Sequence, residues 1–225
     1  MTHLSAHSAE PQTTQPPSET GAESASPDAE SHATAPESGR PVPLAGGDPA
    51  DPELVVLLAD DGTPIGTADK ALVHDGATPL HLAFSCHVLD AEGRVLITRR
   101  ALSKRTFAGV WTNAFCGHPA PGESGQSAVR RRAERELGMA ISEPELVLPD
   151  FRYRARDALG VYENEICPVY VARAEGDPRP AADEVVEWAW VEPEALRTAV
   201  EATPFAFSPW IALQLAEWPA FPARV

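Results

Sequence analysis

A change of material near residue 51 constrains this chain more than any other feature. The first 51 residues are dominated by Ser, Thr, Ala, Pro and Glu and hold few large aliphatics. Within residues 1–50, seven carboxylates (Glu10, Glu19, Glu23, Asp28, Glu30, Glu37, Asp48) face one cation, Arg40, for a net charge of −6. Ordering a backbone costs about 1–2 kcal/mol per residue, and such a stretch has too little apolar surface to offset it. It is expected to be a disordered tail. Its histidines (His3, His7, His32) are therefore set aside as ligands. The fold must come from residues 52–225, a length that suits one domain.

In that remainder the apolar residues alternate between strand and helix patterns. Leu54–Leu58 reads as a strand, followed by a turn at Asp61-Gly62 that leads out through Pro64-Ile65-Gly66-Thr67. Asp69–His74 suits a short helical turn. His81–Leu89 and Arg94–Thr98 read as strands around the hairpin signal Asp90-Ala91-Glu92-Gly93. Ser127–Leu137 is the strongest helix, free of Gly and Pro and closed by Gly138. Phe151–Arg154, Tyr162–Arg173 and Val185–Val191 read as strands, and Pro193–Val200 and Pro209–Glu217 as helices. Strands, helix, strands and helices in that order predict an α+β or mixed sandwich, not a regular βαβ repeat.

The formal net charge of −15 disfavours nucleic-acid or anionic-membrane partners, because their phosphates would be repelled. No run approaches the length of a membrane span, and no signal or transit pattern opens the chain. Three cysteines without regular spacing (Cys86, Cys116, Cys167) are not a disulfide framework. The expected setting is a reducing cytoplasm, where Cys116 stays a free thiol.

The chemistry-bearing residues are few. In Trp111-Thr112-Asn113-Ala114-Phe115-Cys116-Gly117-His118-Pro119, a thiol and an imidazole lie two residues apart. Glu163-Asn164-Glu165 sits in an apolar run, and on a strand both carboxylates project from one face. Like charges on a semi-buried face repel unless a cation or a proton intervenes; an exposed strand face is the plainer alternative. Outside the tail lie His74, His81, His87 and His118. A lone histidine is more often a packed residue than a ligand, and His87 has no motif support. Imidazole and carboxylate together suit Zn, Mn or Mg. Cys116 is either an inert buried thiol or a reactive one beside a cation. Arg99-Arg100-Ala101-Leu102-Ser103-Lys104-Arg105 gathers cations in an acidic domain, as a solvated face or as an anion site.

Gly117, Glu123, Arg131, Glu136 and Gly138 fall at the spacing of a Nudix box, which they resemble. Arg132 and Arg135 stand where that box has glutamates, so a hydrolase's metal site is expected to be crippled. The wider resemblance, from about Glu53 to Leu215, is to the type 1 isopentenyl-diphosphate delta-isomerases. It is carried by His81-Leu82-Ala83-Phe84-Ser85, Thr98-Arg99-Arg100-Ala101-Leu102-Ser103-Lys104, Gly109-Val110-Trp111-Thr112-Asn113, Cys116-Gly117-His118-Pro119, Phe151-Arg152-Tyr153-Arg154, Glu163-Asn164-Glu165 and Phe207-Ser208-Pro209-Trp210.

The resemblance implies a Nudix-type mixed β-sheet sandwiched by helices, and the reversible conversion of isopentenyl diphosphate to dimethylallyl diphosphate for isoprenoid synthesis. It implies that His74, His81, His118, Glu163 and Glu165 hold a divalent ion (Mn2+, Mg2+ or Zn2+). Glu136 would hold a Mg2+ that arrives with the substrate diphosphate. Cys116 and Glu165 would be the catalytic pair, with Tyr153 hydrogen-bonded to Glu165. Lys70, Arg100, Lys104 and Arg132 would contact the diphosphate, and the Trp210 π face would stabilise a carbocation. A cytoplasmic monomer is expected, acting on a small molecule, without nucleic acid or membrane. The favoured order is protonation from the Glu165 side and deprotonation on the Cys116 side. Two rivals stay open: a Nudix hydrolase acting on another diphosphate, and a non-catalytic Nudix-fold binding module.

Overall fold

The computed structural model describes residues 53–222. The expected disordered tail lies outside the described residues. Strand β1 (Leu54–Leu58) pairs antiparallel with β2 (Pro64–Asp69) across a turn whose Gly62 has φ 84°. Helix α1 (Lys70–Val73) follows, its first turn capped by the Asp69 carboxylate, which accepts from the Ala71 N–H at 2.8 Å. Next come β3 (His81–Leu82), β4 (Phe84–Leu89), β5 (Val95–Arg100), β6 (Trp111–Thr112) and β7 (Phe115–Gly117).

Helix α2 (Gly125–Arg132) starts at the Ser124 cap and runs into a π-helical turn, Ala133–Leu137. Gly138, at φ 58°, ends it; a Cβ there would lie 2.6 Å from the Arg179 carbonyl oxygen. Strands β8 (Glu145–Leu148), β9 (Arg152–Arg156), β10 (Tyr162–Ile166), β11 (Val169–Arg173) and β12 (Val185–Val191) precede helices α3 (Pro193–Ala202) and α4 (Pro209–Glu217).

The strands form two sheets. The smaller has the order β2-β1-β3-β10-β9, and the larger runs β12-β5-β4-β11-β8, with β6 beside β5 and β7 beside β4. Two stretches read from sequence as single strands are each broken. His81–Leu89 leaves the small sheet at Ala83 and enters the large one as β4; Tyr162–Arg173 does the same across Cys167-Pro168. Pro168 has no N–H to give to a ladder, which suits a break there. The two stretches run parallel throughout, with Glu165 opposite His81 and Val169 opposite Ser85. A pattern of apolar residues cannot show such a break, because both faces stay buried.

Strand β4 is buried along its whole length, and its alternation serves two cores. Phe84, Cys86 and Val88 pack with Ala128, Val129, Ala133 and Leu137 of α2 and its π turn. On the opposite face Leu89, Val95, Ile97 and Val171 pack with Leu196 and Val200 of α3 and Ile211 and Leu215 of α4. The large sheet is thus sandwiched by helices, as the α+β reading expects. A third cluster, with Ala83, Phe151, Tyr153, Cys167, Val169 and Trp210, fills the seam where the strands change sheets.

Candidate active site

Two groups of charged side chains lie beside that seam. The first joins four elements: His74 follows α1, His81 lies on β3, His118 follows β7, and Glu163 and Glu165 lie on β10. One ligand atom from each of His74, His81, His118 and Glu165 falls within 4.8 Å of the others. Glu163 adjoins them, its Oε2 3.0 Å from His74 Nε2, while its Oε1 accepts from Thr106 Oγ1 at 2.5 Å. The exposed-face alternative for the carboxylate pair fails, since Glu163 and Glu165 are 6% and 5% exposed.

Unsatisfied atoms show what this group suits. His81 Nδ1 lies 2.9 Å from the Pro79 carbonyl, which can only accept, so Nδ1 carries a hydrogen and in the neutral ring Nε2 presents a lone pair. That Nε2 sits 3.4 Å from Glu165 Oε1 but lacks hydrogen-bond geometry, and Glu163 Oε2 is likewise buried without a hydrogen bond. His118 Nε2 reaches Glu165 Oε1 at a long 3.3 Å. Buried acceptors left unpaired and facing one another fit a cation between them. Burial pushes His118 down to about 4, against the opposing pull of Glu165. Burial would raise Glu165, but His118 and His81 outweigh it and hold the carboxyl well below its usual range.

The second group gathers the cations. Arg132, 1% exposed, donates from Nε to Glu136 Oε1 at 2.7 Å and from Nη2 to the same oxygen. Its Nη1 lies 3.3 Å from Glu53 Oε1 and its Nη2 3.5 Å from Glu184 Oε1. Lys70 Nζ donates to Glu53 Oε2 at 2.9 Å, and Lys104 Nζ donates to Glu184. Burial, reinforced by Arg100, Arg132 and Lys70, pushes Lys104 down to about 8 despite the pull of Glu136. Glu53 and Glu184 belong to no motif, and the sequence alone gives no signal for them. The basic run splits: Arg100 and Lys104 are partly buried, whereas Arg99 pairs with Glu187 at the surface and Arg105 donates to the Ala71 carbonyl.

Between the groups stand the thiol and the aromatics. Cys116 pairs with Ser85 in the β7–β4 register, and its Sγ lies 3.1 Å from Ser85 Oγ and 3.4 Å from Asn113 Oδ1. Burial pushes the thiol up to about 12, past the downward pull of the Ser85 hydrogen bond. Trp210 donates from Nε1 to the same Asn113 Oδ1 at 2.9 Å, and the Arg100 guanidinium lies 5.4 Å from its ring centroid. Arg100 also donates to the carbonyls of Thr106 and Phe107, which holds Phe107 at φ 47° with its ring edge-on to Trp210. Tyr153 sits opposite Glu165 in the β9–β10 ladder and packs against Phe151 and Trp210. The expected Tyr153–Glu165 hydrogen bond is a correction: none joins them among the described residues. The ring's packing between Phe151 and Trp210 gives its position a steric cause instead.

The surviving Nudix-box residues have a structural use. Arg131 grips Glu123 with Nε at 2.8 Å and Nη2 at 2.6 Å, and also donates to the His118 carbonyl at 3.2 Å. Helix α2 thereby fastens the loop that carries His118. Gly117 is needed for close approach, since a Cβ there would meet Phe84 Cζ at 2.9 Å and Arg132 Cγ at 3.0 Å.

Comparison with known proteins agrees with this geometry. The NUDIX domain family matches residues 79–211. The isopentenyl-diphosphate Delta-isomerase of Leifsonia xyli subsp. xyli is 63% identical over 165 residues, 72% of this chain and 89% of its own length. That of Clavibacter sepedonicus is 65% identical over 169 residues, 74% of this chain and 88% of its own. The same-named protein of Kocuria rhizophila is 60% identical over 166 residues, 74% of this chain and 92% of its own. In fold, the chain is similar to the crystal structure of DR0079 from Deinococcus radiodurans, with a TM-score of 0.58 at 19% identity over 73% of this chain and 98% of the other. Sequence and architecture together place this chain in the NUDIX domain family, among the isopentenyl-diphosphate Delta-isomerases.

Proposed function

We infer that this chain, through a domain spanning residues 52–225, interconverts isopentenyl diphosphate and dimethylallyl diphosphate. The observation that carries the reading is the meeting, at one seam, of a thiol, a buried carboxylate, an aromatic wall and a cation cluster. These are the four things the reaction needs. Moving a double bond by one position takes one proton onto the terminal alkene carbon and one proton off the carbon next to the diphosphate-bearing methylene. An alkene is a very weak base, so the acid must be strong and water kept out.

Cys116 and Glu165 are the proton carriers in this reading. In the protein alone the proton rests on Cys116, and Glu165 is ionised. With Glu165 as the acid and Cys116 as the base, that state follows a forward turnover, and the pair must then reset by exchange with solvent. With the roles reversed, the same state begins the forward reaction directly. The Trp210 face stabilises positive charge on the tertiary carbon by about 0.5–2 kcal/mol. Tyr153 helps Trp210 exclude water from the seam. Arg100, Lys104, Lys70 and Arg132 hold the diphosphate, which keeps the allylic product from losing it.

His74, His81, His118, Glu163 and Glu165 would hold a divalent ion (Mn2+, Mg2+ or Zn2+), which when bound supplies positive charge beside Glu165. Glu136 would serve a Mg2+ carried in with the diphosphate. The cations Lys70, Arg100, Lys104 and Arg132 suit a small anionic substrate, and the net charge of −15 disfavours nucleic acid. Among the described residues no helix is long and apolar enough to cross a membrane. We place the enzyme in the cytoplasm as a monomer.

The deciding experiment incubates the protein with isopentenyl diphosphate, Mg2+ and D2O. Proton NMR should show dimethylallyl diphosphate and deuterium entering the substrate. Release of inorganic phosphate without isomer would favour a hydrolase, and neither product would favour a binding module.

A further inference from the structure

Behind Cys116 runs a second line of polar side chains that no part of the reaction above uses. Strand alternation turns Ser85 and His87 of β4 toward α4, whose buried face presents Gln214 one turn beyond Trp210. All three residues are 0% exposed. His87 Nε2 lies 2.9 Å from Gln214 Oε1, Gln214 Nε2 lies 2.8 Å from Ser85 Oγ, and Ser85 Oγ lies 3.1 Å from Cys116 Sγ.

The direction of these bonds follows from the atoms. An amide oxygen only accepts, so His87 donates from Nε2, which leaves its Nδ1 as the unpaired acceptor. The Gln214 amide nitrogen then donates to Ser85 Oγ. The Cys167 sulfur lies 3.5 Å from that oxygen, and either atom of this pair can donate. Ser85 has one hydrogen of its own; the nearer of its two sulfur neighbours is Cys116 Sγ, at 3.1 Å, whose own hydrogen is directed to Asn113 Oδ1. Burial pushes His87 down to about 4, so the ring is neutral and its tautomer is fixed by Gln214. Buried polar groups cost free energy unless they are paired, and here each of the three side chains is bonded to the next.

We propose that His87, Gln214 and Ser85 are positioning residues that form a one-way donor chain, aiming the Ser85 hydroxyl hydrogen at the Cys116 sulfur. A sulfur that exchanges its proton with substrate needs a donor on its rear side that does not itself compete for that proton. The chain supplies one and holds the sulfur in a single orientation. His87 and Gln214 act through Ser85, and none of the three touches the reacting carbons. The inference rests on the isomerase reading, with Cys116 as a proton carrier.

The test compares Ser85→Ala, Ser85→Thr and Gln214→Glu with the unaltered protein in the isomerisation assay, with circular-dichroism melts as a control for folding. A hydrogen bond to a group that carries charge during the reaction is worth about 1.5–3 kcal/mol, so Ser85→Ala should lower kcat roughly 10- to 100-fold. KM should stay within roughly 2-fold, because no diphosphate contact is lost. Ser85→Thr, which keeps the hydroxyl, should restore most of kcat. Gln214→Glu keeps the shape but replaces the donor with an acceptor that turns the Ser85 hydrogen away from sulfur, so its kcat should fall as in Ser85→Ala. An unchanged kcat in Ser85→Ala overturns the chain, as does a loss shared equally between kcat and KM. If Ser85→Ala does not fold, the Gln214→Glu and Ser85→Thr pair decides by the same criteria. No isomerisation by the unaltered protein would overturn the proposed function itself, an outcome distinct from failure of the donor chain.

Discussion

The histidine–glutamate group and the arginine–lysine group lie side by side, yet they settle their charge in opposite ways. In the first, carboxylate and imidazole acceptors face one another unpaired, as at His81 Nε2 and Glu163 Oε2. In the second, Arg132, Lys70 and Lys104 each already hold a carboxylate, from Glu136, Glu53 or Glu184. One group is short of a cation; the other is neutralised from within. In the proposed reading an incoming diphosphate displaces protein carboxylates, while an incoming metal ion displaces only the long His118–Glu165 contact and the His74–Glu163 contact. The first group should govern turnover and the second affinity.

The largest effects should come from the proposed proton carriers. Cys116→Ala and Glu165→Gln should each lower kcat by roughly 10²–10⁴. Folding should persist by circular dichroism, and near-normal turnover in either variant would remove that residue from the mechanism. Chelation followed by dialysis should abolish turnover, and a divalent ion should restore it. His81→Ala should weaken metal binding by at least about 10-fold in calorimetry, the scale seen even for outer partners of ligands. If metal affinity is unchanged, the first group is not the metal centre.

The second group should answer through KM. Lys104→Ala removes a charged contact worth about 1.5–3 kcal/mol, so KM should rise roughly 10- to 100-fold with little change in kcat. An equal fall in kcat would erase the distinction between the groups. Because Lys104 is depressed to about 8, it is cationic below that pH and neutral above it. KM should therefore rise as pH passes upward through 8, and the rise should vanish in Lys104→Ala. The smallest effect is expected from deleting residues 1–50, which should leave kcat and KM within about 2-fold, since terminal segments lacking apolar anchors are tolerantly removed.

The sequence exposes some parts of the molecule and hides others, for physical reasons. Strand Val185–Val191 and helix Pro209–Glu217 have the expected bounds, because each carries a full period of its pattern between clear start and stop residues. Strands β6 and β7 escape it because two or three residues show no period. The π turn at Ala133–Leu137 reads as plain helix, since its side chains keep helical spacing closely enough. The gathering of His74, His81, His118, Glu163 and Glu165 was legible through motifs, but the salt-bridge partners Glu53 and Glu184 were not. His87 shows the same limit. A lone histidine carries no signal when its partner, Gln214, lies 127 positions away on a helix.

The paired sheet change has a consequence for manufacturing tolerance. His81 and Ser85 are four positions apart on one segment, and their partners Glu165 and Val169 are four apart on the other. The offset between the carboxylate and the thiol is therefore set by counting peptide units along two matched rails, with Cys116 latched to the far sleeper at Ser85. Loops elsewhere can lengthen without disturbing that gauge. One residue inserted between positions 81 and 85 would turn every later β4 side chain to the wrong core, so the spacing of Glu165 and Cys116 cannot drift by small steps.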